Sequence, residues 1–273
     1  MKYIFYHSAD HDGQCSGAIA KRYCEQNKVE YVLCPIDYGK PIPDVTGKEI
    51  IVCDFSFENK MQDAIKNAAD FIWIDHHISA IKEHGNSGLK GLRDTQFAAC
   101  ELTWKYFFPK VPMPLGVELL GKYDSWRHEE NPTILGFEWY LRGYDTSLEK
   151  FDWNKVLDMS EEEIAKCAGM GLLVLNKDKI SWKFQLKTAF EKTILGSRCI
   201  LINTQEKGSM IFDDKLKDYD FGIVFYMTPS LEYKHSVYSV SKDSSEFAKH
   251  FNGGGHKGAA GFITNELVWK VGM

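Results

Sequence analysis

Acids and histidines collect at the ends of apolar runs in this chain. Tyr3 to Tyr6 leads into His7-Ser8-Ala9-Asp10-His11-Asp12-Gly13, Ile50 to Cys53 into Asp54, and Phe71 to Ile74 into Asp75-His76-His77; Asp124 follows Tyr123. The three runs read as buried strands. In an open parallel sheet the carboxyl ends of the strands lie along one edge, where ligands bind. Carboxylates and imidazoles gathered there repel one another and resist desolvation unless a cation neutralises them. Asp and His oxygen and nitrogen donors suit divalent ions. The pattern points to a metal centre with more than one ion.

Each cluster also has a plainer reading. Asp10 or Asp12 could cap the helix that follows, and Gly13 eases the tight strand-to-helix turn. Asp54 could equally cap a helix starting near Ser56, and Asp124 could be a helix-end aspartate. His76 and His77 could be solvated surface groups. His11 could contact substrate or point to solvent. A different signal is Gly253-Gly254-Gly255-His256-Lys257-Gly258-Ala259-Ala260-Gly261. Bare glycine amides can form an anion nest, and His256 and Lys257 add charge-assisted donors, so this segment reads as a phosphate cradle, against a flexible loop.

The elements that must position these groups follow from patterning. The first part alternates strands (2–7, 29–34, 49–54, 70–75) with helices (13–27, 57–68, 95–107, 115–123), as βαβ units of a parallel sheet do. From 130 to 155 the pattern loosens. Ser160-Glu161-Glu162-Glu163 then gives a capping box opening a long helix to about 193, with a break at Gly169 and Gly171. The remainder reads as strands at 198–203, 221–227, 235–241, 260–264 and 267–271, with a helix near 244–251. The fold class is therefore α/β in two lobes: an N-terminal parallel-sheet lobe (1–130), a largely helical connector (131–194) and a smaller C-terminal α+β lobe (195–273).

Composition narrows the partners. The 273 residues carry a net charge of −5, so no global basic field draws in long nucleic acid. Bound metals reverse the local charge of an acidic site, so anionic substrates stay open. The 14% aromatic content offers stacking surfaces for bases, although core packing accounts for most such residues. Seven scattered cysteines without a CxxC pair read as reduced thiols of a cytoplasmic protein. No apolar stretch suggests a signal peptide or a membrane span.

The motif order resembles the DHH phosphoesterase superfamily. The matching pieces are Asp10-His11-Asp12-Gly13, Asp54, Asp75-His76-His77, Asp124 and the GGGH of Gly253 to His256. The resemblance implies a catalytic lobe over 1–130 and a DHH-associated C-terminal domain over about 195–273. It makes His7, Asp10, Asp12, Asp54, His76 and Asp124 ligands of two divalent ions, manganese first and magnesium as the alternative. Asp54 would bridge the ions, and His77 would serve the attacked phosphate as a catalytic group. Gly254, Gly255 and His256, with Lys257, would hold the far end of a substrate lying between the lobes. One departure concerns Tyr238-Ser239-Val240-Ser241-Lys242, which has Ser241 where family members carry arginine. Arg127 is a candidate to compensate at the substrate.

Within the superfamily the chain looks most like the oligoribonucleases and small-nucleotide phosphodiesterases. The expected activity is hydrolysis of short oligonucleotides or dinucleotides to mononucleotides. The alternatives are a phosphoanhydride hydrolase acting on pyrophosphate or polyphosphate, and a non-catalytic nucleotide-binding protein. The resemblance also makes a homodimer the candidate assembly, although no self-complementary stripe is legible.

Overall fold

A computed structural model describes residues 1–85, 88–206 and 208–270. Four runs rich in Ile, Val, Phe and Tyr pair side by side: β1 (Lys2–His7), β2 (Tyr31–Ile36), β3 (Glu49–Cys53) and β4 (Asp70–Ile74). All are parallel, in the order β2-β1-β3-β4. Successive residues feed opposite faces. Ile4, Tyr6, Ile51, Cys53, Ile72 and Ile74 join a core with Cys15, Ile19, Leu102 and Trp104. Phe5, Ile50, Val52, Phe71 and Trp73 join a second core with Phe55, Phe57 and Met61. Burial on both faces explains why β1, β3 and β4 read as continuous apolar runs and not as alternating ones, whereas the edge strand β2 buries only Ile36.

The helices α1 (His11–Gln26) and α4 (Ala99–Phe107) supply the first core, while α2 (Met61–Asn67) and α3 (Ile78–His84) cover the second. β2 starts and ends two residues later than its sequence pattern indicates, because Pro35 lies inside it. An edge strand tolerates the missing donor. α5 (Leu115–Asp124) carries Asp124 as its last residue.

The loosely patterned stretch after 130 contains α6 (Pro132–Leu141) and α7 (Trp153–Asp158). α6 is buried almost all round, with Ile134, Leu135, Phe137, Trp139 and Leu141 inside, so no single apolar stripe marks it. α8 (Glu161–Gln185) opens with the expected box: the Ser160 N–H donates to Glu163 Oε2 at 2.9 Å and the Glu163 N–H to Ser160 Oγ at 3.3 Å. The break expected at Gly169 and Gly171 does not occur. Gly171 instead lets α8 approach α6, since a Cβ there would stand 1.8 Å from the Gly136 carbonyl oxygen.

Contacts divide the chain into Met1–Leu175 and Asn176–Met273, the division falling inside α8. The second unit is a six-stranded mixed sheet ordered β5-β6-β7-β8-β10-β9. Its strands are β5 (Phe190–Ile194), β6 (Ser197–Asn203), β7 (Phe221–Met227), β8 (Tyr233–Tyr238), β9 (Gly254–Gly255) and β10 (Ala259–Thr264), with α9 (Ser244–Lys249) packing Phe247 and Ala248 against Phe221, Val237 and Phe262. Among the described residues of this unit, only β6 and β7 pair in parallel. A mixed sheet in this unit and an all-parallel one in the first give the α/β class expected from sequence.

Two readings are corrected here. The long helix does not reach 193: β5 occupies 190–194 and turns at Leu195 (φ 51°) and Gly196 (φ 76°), a hairpin geometry that re-pairs the chain with β6. The strand expected over 267–271 is a short 3-10 turn at Val268–Lys270, and residue 271 lies outside the described residues. Among the described residues no helix is long and apolar enough to cross a membrane. The seven cysteines are free.

Candidate metal centre

Every strand of the parallel sheet ends in a group that can bind a cation. In sheet order the carboxyl edge carries Asp37 after β2, His7 at the end of β1, Asp54 after β3 and Asp75-His76-His77 after β4. Adjacent strands are about 4.8 Å apart, so consecutive groups fall within bridging range. The strand order reverses direction between β1 and β3, which places His7 and Asp54 at the switch point where such sheets bind ligands.

Within Met1–Leu175, three sets of ligand atoms each lie within 4.8 Å of one another: His7, Asp10 and Asp54; Asp12, His76 and Asp124; Asp54, Asp75 and His77. Asp54 joins the first two. Its Oδ2 is 3.5 Å from His7 Nδ1, and its Oδ1 is 3.3 Å from His76 Nε2. The residue is 2% exposed and adopts φ 54°, a left-handed conformation that aspartate tolerates better than most residues. No following helix is capped by it; the next helical turns begin without a side-chain cap.

The cap reading holds for Asp10, but only for one of its oxygens. Oδ1 accepts the Gly13 N–H at 3.0 Å, while Oδ2 stands 2.8 Å from His7 Nδ1. Gly13 is needed for this approach, since a Cβ would meet the His7 carbonyl oxygen at 2.1 Å. Asp12 caps a different helix. Its two oxygens accept the Ala99 and Cys100 N–H groups at 2.9 and 2.7 Å, the first amides of α4. His76 Nε2 lies 3.6 Å from Asp12 Oδ2 and 3.3 Å from Asp124 Oδ2.

The electrostatics are those of crowded like charges. Burial, then the charges of Asp54 and Asp124, push Asp12 well above the carboxylate range. Burial likewise lifts Asp124 to about 7, with His76 opposing and Asp54 adding to the rise, although its side chain keeps 31% exposure. Burial works against the charge of Asp54 too, but His7 and His76 together hold that carboxyl far below its usual range. Burial opposes protonation of His7 and His76, and the surrounding carboxylates more than reverse it.

A divalent ion fits these donors. His7 Nδ1, Asp54 Oδ1 and Asp124 Oδ2 are buried and lack a partner of hydrogen-bond geometry among the described residues. Such atoms are costly unless something satisfies them. The donor set of carboxylate oxygens and imidazole nitrogens is suited to manganese or magnesium more than to thiolate-preferring ions.

Four residues escaped the sequence reading or its role assignments. Asp75 is completely buried. Its Oδ1 accepts from the His76 and His77 amides at 2.7 and 3.0 Å and meets His77 Nδ1 at 2.7 Å. This fixes the His77 ring, and the motif itself was the available signal. Asp37 meets His7 Nε2 at 3.2 Å. It ends an apolar run like the other acids, but Pro35 and the turn residues after it disguise the strand. Tyr38, next in the chain, packs on Phe55 with ring centroids 4.6 Å apart and turns an edge toward His7 and His77. Glu138, a buried acid inside apolar α6, meets His11 Nδ1 at 2.9 Å and accepts from Arg142 Nε at 2.9 Å. Burial alone would raise Glu138, yet His11 and Arg142 bring it down to about 2. His11 is therefore engaged with α6 and is not simply solvated.

The remaining expected substrate contacts are placed as follows. Arg127 donates to Glu101 and, at 2.7 Å, to Ser125 Oγ, with its guanidinium over the Phe97 ring. Gly254 and Gly255 pair with Gly261 and Ala260. The His256 N–H donates to the Ala259 carbonyl at 2.7 Å, and the Lys257 carbonyl accepts from the Ser244 N–H at 2.8 Å. The glycine segment is thus an ordered hairpin on α9. Ser239 Oγ accepts the amides of Ser241 and Lys242 at 3.2 and 2.8 Å, so this serine shapes the turn before α9.

Comparison with known proteins adds family context. An uncharacterised protein of Acanthamoeba polyphaga mimivirus is 28% identical over 231 residues, covering 80% of this chain and 53% of the relative, so the chain spans about half the relative's length. The pGpG-specific phosphodiesterase PggH from Vibrio cholerae shares the fold at TM-score 0.53 and 13% identity, with 96% of this chain and 92% of that chain covered. RecJ in complex with Mn2+ from Thermus thermophilus does so at TM-score 0.51 and 15% identity, covering 98% of this chain and 50% of that chain. In sequence, residues 2–120, the segment that carries the strand ends described above, match the DHH family, N-terminal domain.

Proposed function

We propose that this protein is a metal-dependent phosphoesterase that hydrolyses short oligonucleotides or dinucleotides to mononucleotides. The observation that carries this reading is Asp54. One of its oxygens faces the His7 cluster and the other the His76 cluster, as a ligand shared by two ions must. His7, Asp10 and Asp54 would hold one ion, and Asp12, Asp54, His76 and Asp124 the other. Two such ions, when bound, lower the pKa of water and neutralise charge that builds on the phosphoryl oxygens. Manganese is the first choice, in keeping with the Mn2+ in the RecJ structure.

The chain's own groups supply the rest. Asp75 fixes the His77 ring through Nδ1, and His77 would exchange a proton with the attacked phosphate or the entering water. Arrayed beside an acidic centre, these residues need no side-chain nucleophile. In the C-terminal unit, Gly254, Gly255, His256 and Lys257 form the proposed phosphate-holding hairpin. The guanidinium of Arg127 is assigned first to Glu101. The pGpG specificity in the name of the Vibrio protein supports a small nucleotide diester as substrate. A cytoplasmic, reducing setting suits the free thiols.

The test is a manganese-supplemented assay over linear and cyclic dinucleotides, short RNA, adenosine 3′,5′-bisphosphate, pyrophosphate and polyphosphate. Turnover of diesters with loss of activity in Asp54→Ala is the expected result. Release of phosphate from polyphosphate alone would replace the diester reading by the anhydride one. Binding of dinucleotides without any turnover would leave a nucleotide-binding protein.

A further inference from the structure

We infer that Asp37 is a positioning residue of the metal centre. It holds the Nε2 proton of His7, so that the Nδ1 lone pair is presented to the ion shared with Asp10 and Asp54. The inference rests on the two-ion reading and goes beyond its ligand set.

β1 and β2 are parallel with His7 opposite Ile36, so the residue that follows β2 lies beside the His7 ring. Asp37 Oδ1 is 3.2 Å from His7 Nε2. On the ring's other side, Nδ1 is 2.8 Å from Asp10 Oδ2 and 3.5 Å from Asp54 Oδ2. A neutral imidazole has one N–H and one lone pair. Nε2 has an acceptor of hydrogen-bond geometry in Asp37, whereas Nδ1 has none among the described residues, so with an ion drawing on the Nδ1 lone pair the proton belongs on Nε2. Asp37 is itself held: the same Oδ1 accepts the Tyr38 N–H at 2.8 Å, and the Tyr38 ring packs on Phe55. The arrangement is a carboxylate–histidine–metal relay of the kind that orients a ligand ring and raises its basicity. Asp75 holds His77 in the same manner from the other end of the sheet edge. Asp37 keeps 40% side-chain exposure, so its replacement leaves the core intact.

The full chain, Asp37→Ala and Asp37→Asn are titrated with Mn2+ while the resonance of free Mn2+ is followed. The native chain is expected to bind two ions. Asp37→Ala should weaken one of the two by about 10- to 100-fold and leave the other unchanged. Asp37→Asn, which keeps the acceptor oxygen but not the charge, should fall between. A second readout distinguishes ring orientation from loop support. In long-range proton–nitrogen spectra of the Mg2+-loaded protein, His7 should carry its proton on Nε2, and this preference should be lost in Asp37→Ala. Two ions bound with equal affinity by the native chain and Asp37→Ala, or a proton on Nδ1 of native His7, would overturn the inference alone. Failure of the native chain to bind Mn2+ would overturn the two-ion reading and this inference with it.

Discussion

Acid should loosen the C-terminal unit through one residue, His235. The residue is fully buried on β8, with its ring stacked against Phe262 at 4.6 Å and Phe225 at 6.1 Å. Neither ring nitrogen has a partner of hydrogen-bond geometry among the described residues. Burial lowers its pKa from 6.5 to about 4, and the carbonyls of Tyr233 and Phe262 offset only part of that effect. The unfolded chain binds this proton more readily than the folded one. Stability is therefore complete above pH 6.5, falls as the pH drops toward 4, and loses nothing further from this group below that. The whole span is worth about 3 kcal/mol. Hydrogen exchange of the amides in β7 and β8, corrected for intrinsic rates, reads the loss directly. Protection should fall on the order of 100-fold between pH 7 and pH 4 in the native protein. His235→Phe keeps the stacked ring and removes the titration, while the carboxylates common to both proteins titrate alike. The variant should lose markedly less protection over the same interval. Parallel losses in the two proteins would refute the reasoning.

Four further outcomes are expected. Apparent Mn2+ affinity should rise from pH 6 to pH 8, because the ion must displace protons from Asp124, held near 7, and from its neighbours; calorimetry in buffers of different ionisation enthalpy would count them. Asp75→Asn should lower kcat by roughly 10- to 100-fold with an unchanged far-ultraviolet spectrum, since it loosens His77 and leaves the sheet in place. Arg127→Ala should lower the thermal midpoint by an amount equivalent to about 1–3 kcal/mol, by stranding the buried Glu101, and leave Michaelis constants unchanged; a raised Michaelis constant would assign the guanidinium to substrate instead. Gly171→Ala should destabilise the N-terminal unit by about 1–3 kcal/mol in chemical denaturation, because its methyl group would collide with the Gly136 carbonyl.

The parallel sheet was legible because both faces of β1, β3 and β4 are buried, which turns each of these strands into an apolar run with a polar stop. The same stops located His7, Asp54 and His76, which the structure brings together with Asp10, Asp12 and Asp124. What escaped did so for local reasons. Pro35 hid the end of β2 and with it Asp37. α6 hid because it is apolar on all sides, and Glu138 with it. The residues of β5 continue the polar-apolar texture of α8, and only the backbone at Leu195 and Gly196 reveals the reversal. Gly169 and Gly171 looked like a break because a glycine chosen for helix contact and one chosen for flexibility are identical in sequence.

The strand-end arrangement has a consequence for how the molecule is made. The proposed cation ligands are separated by long stretches of chain: His7, Asp54 and His76 meet at neighbouring strand ends, while Asp10, Asp12 and Asp124 reach them from the start of α1 and the end of α5, so no fragment that stops at the four-stranded sheet holds the complete set. A slip of one residue in any strand would turn its apolar side chains to the wrong layer and carry its terminal acid out of reach. Ion uptake should therefore appear late and all at once during refolding, serving as a check that the sheet has been assembled in register.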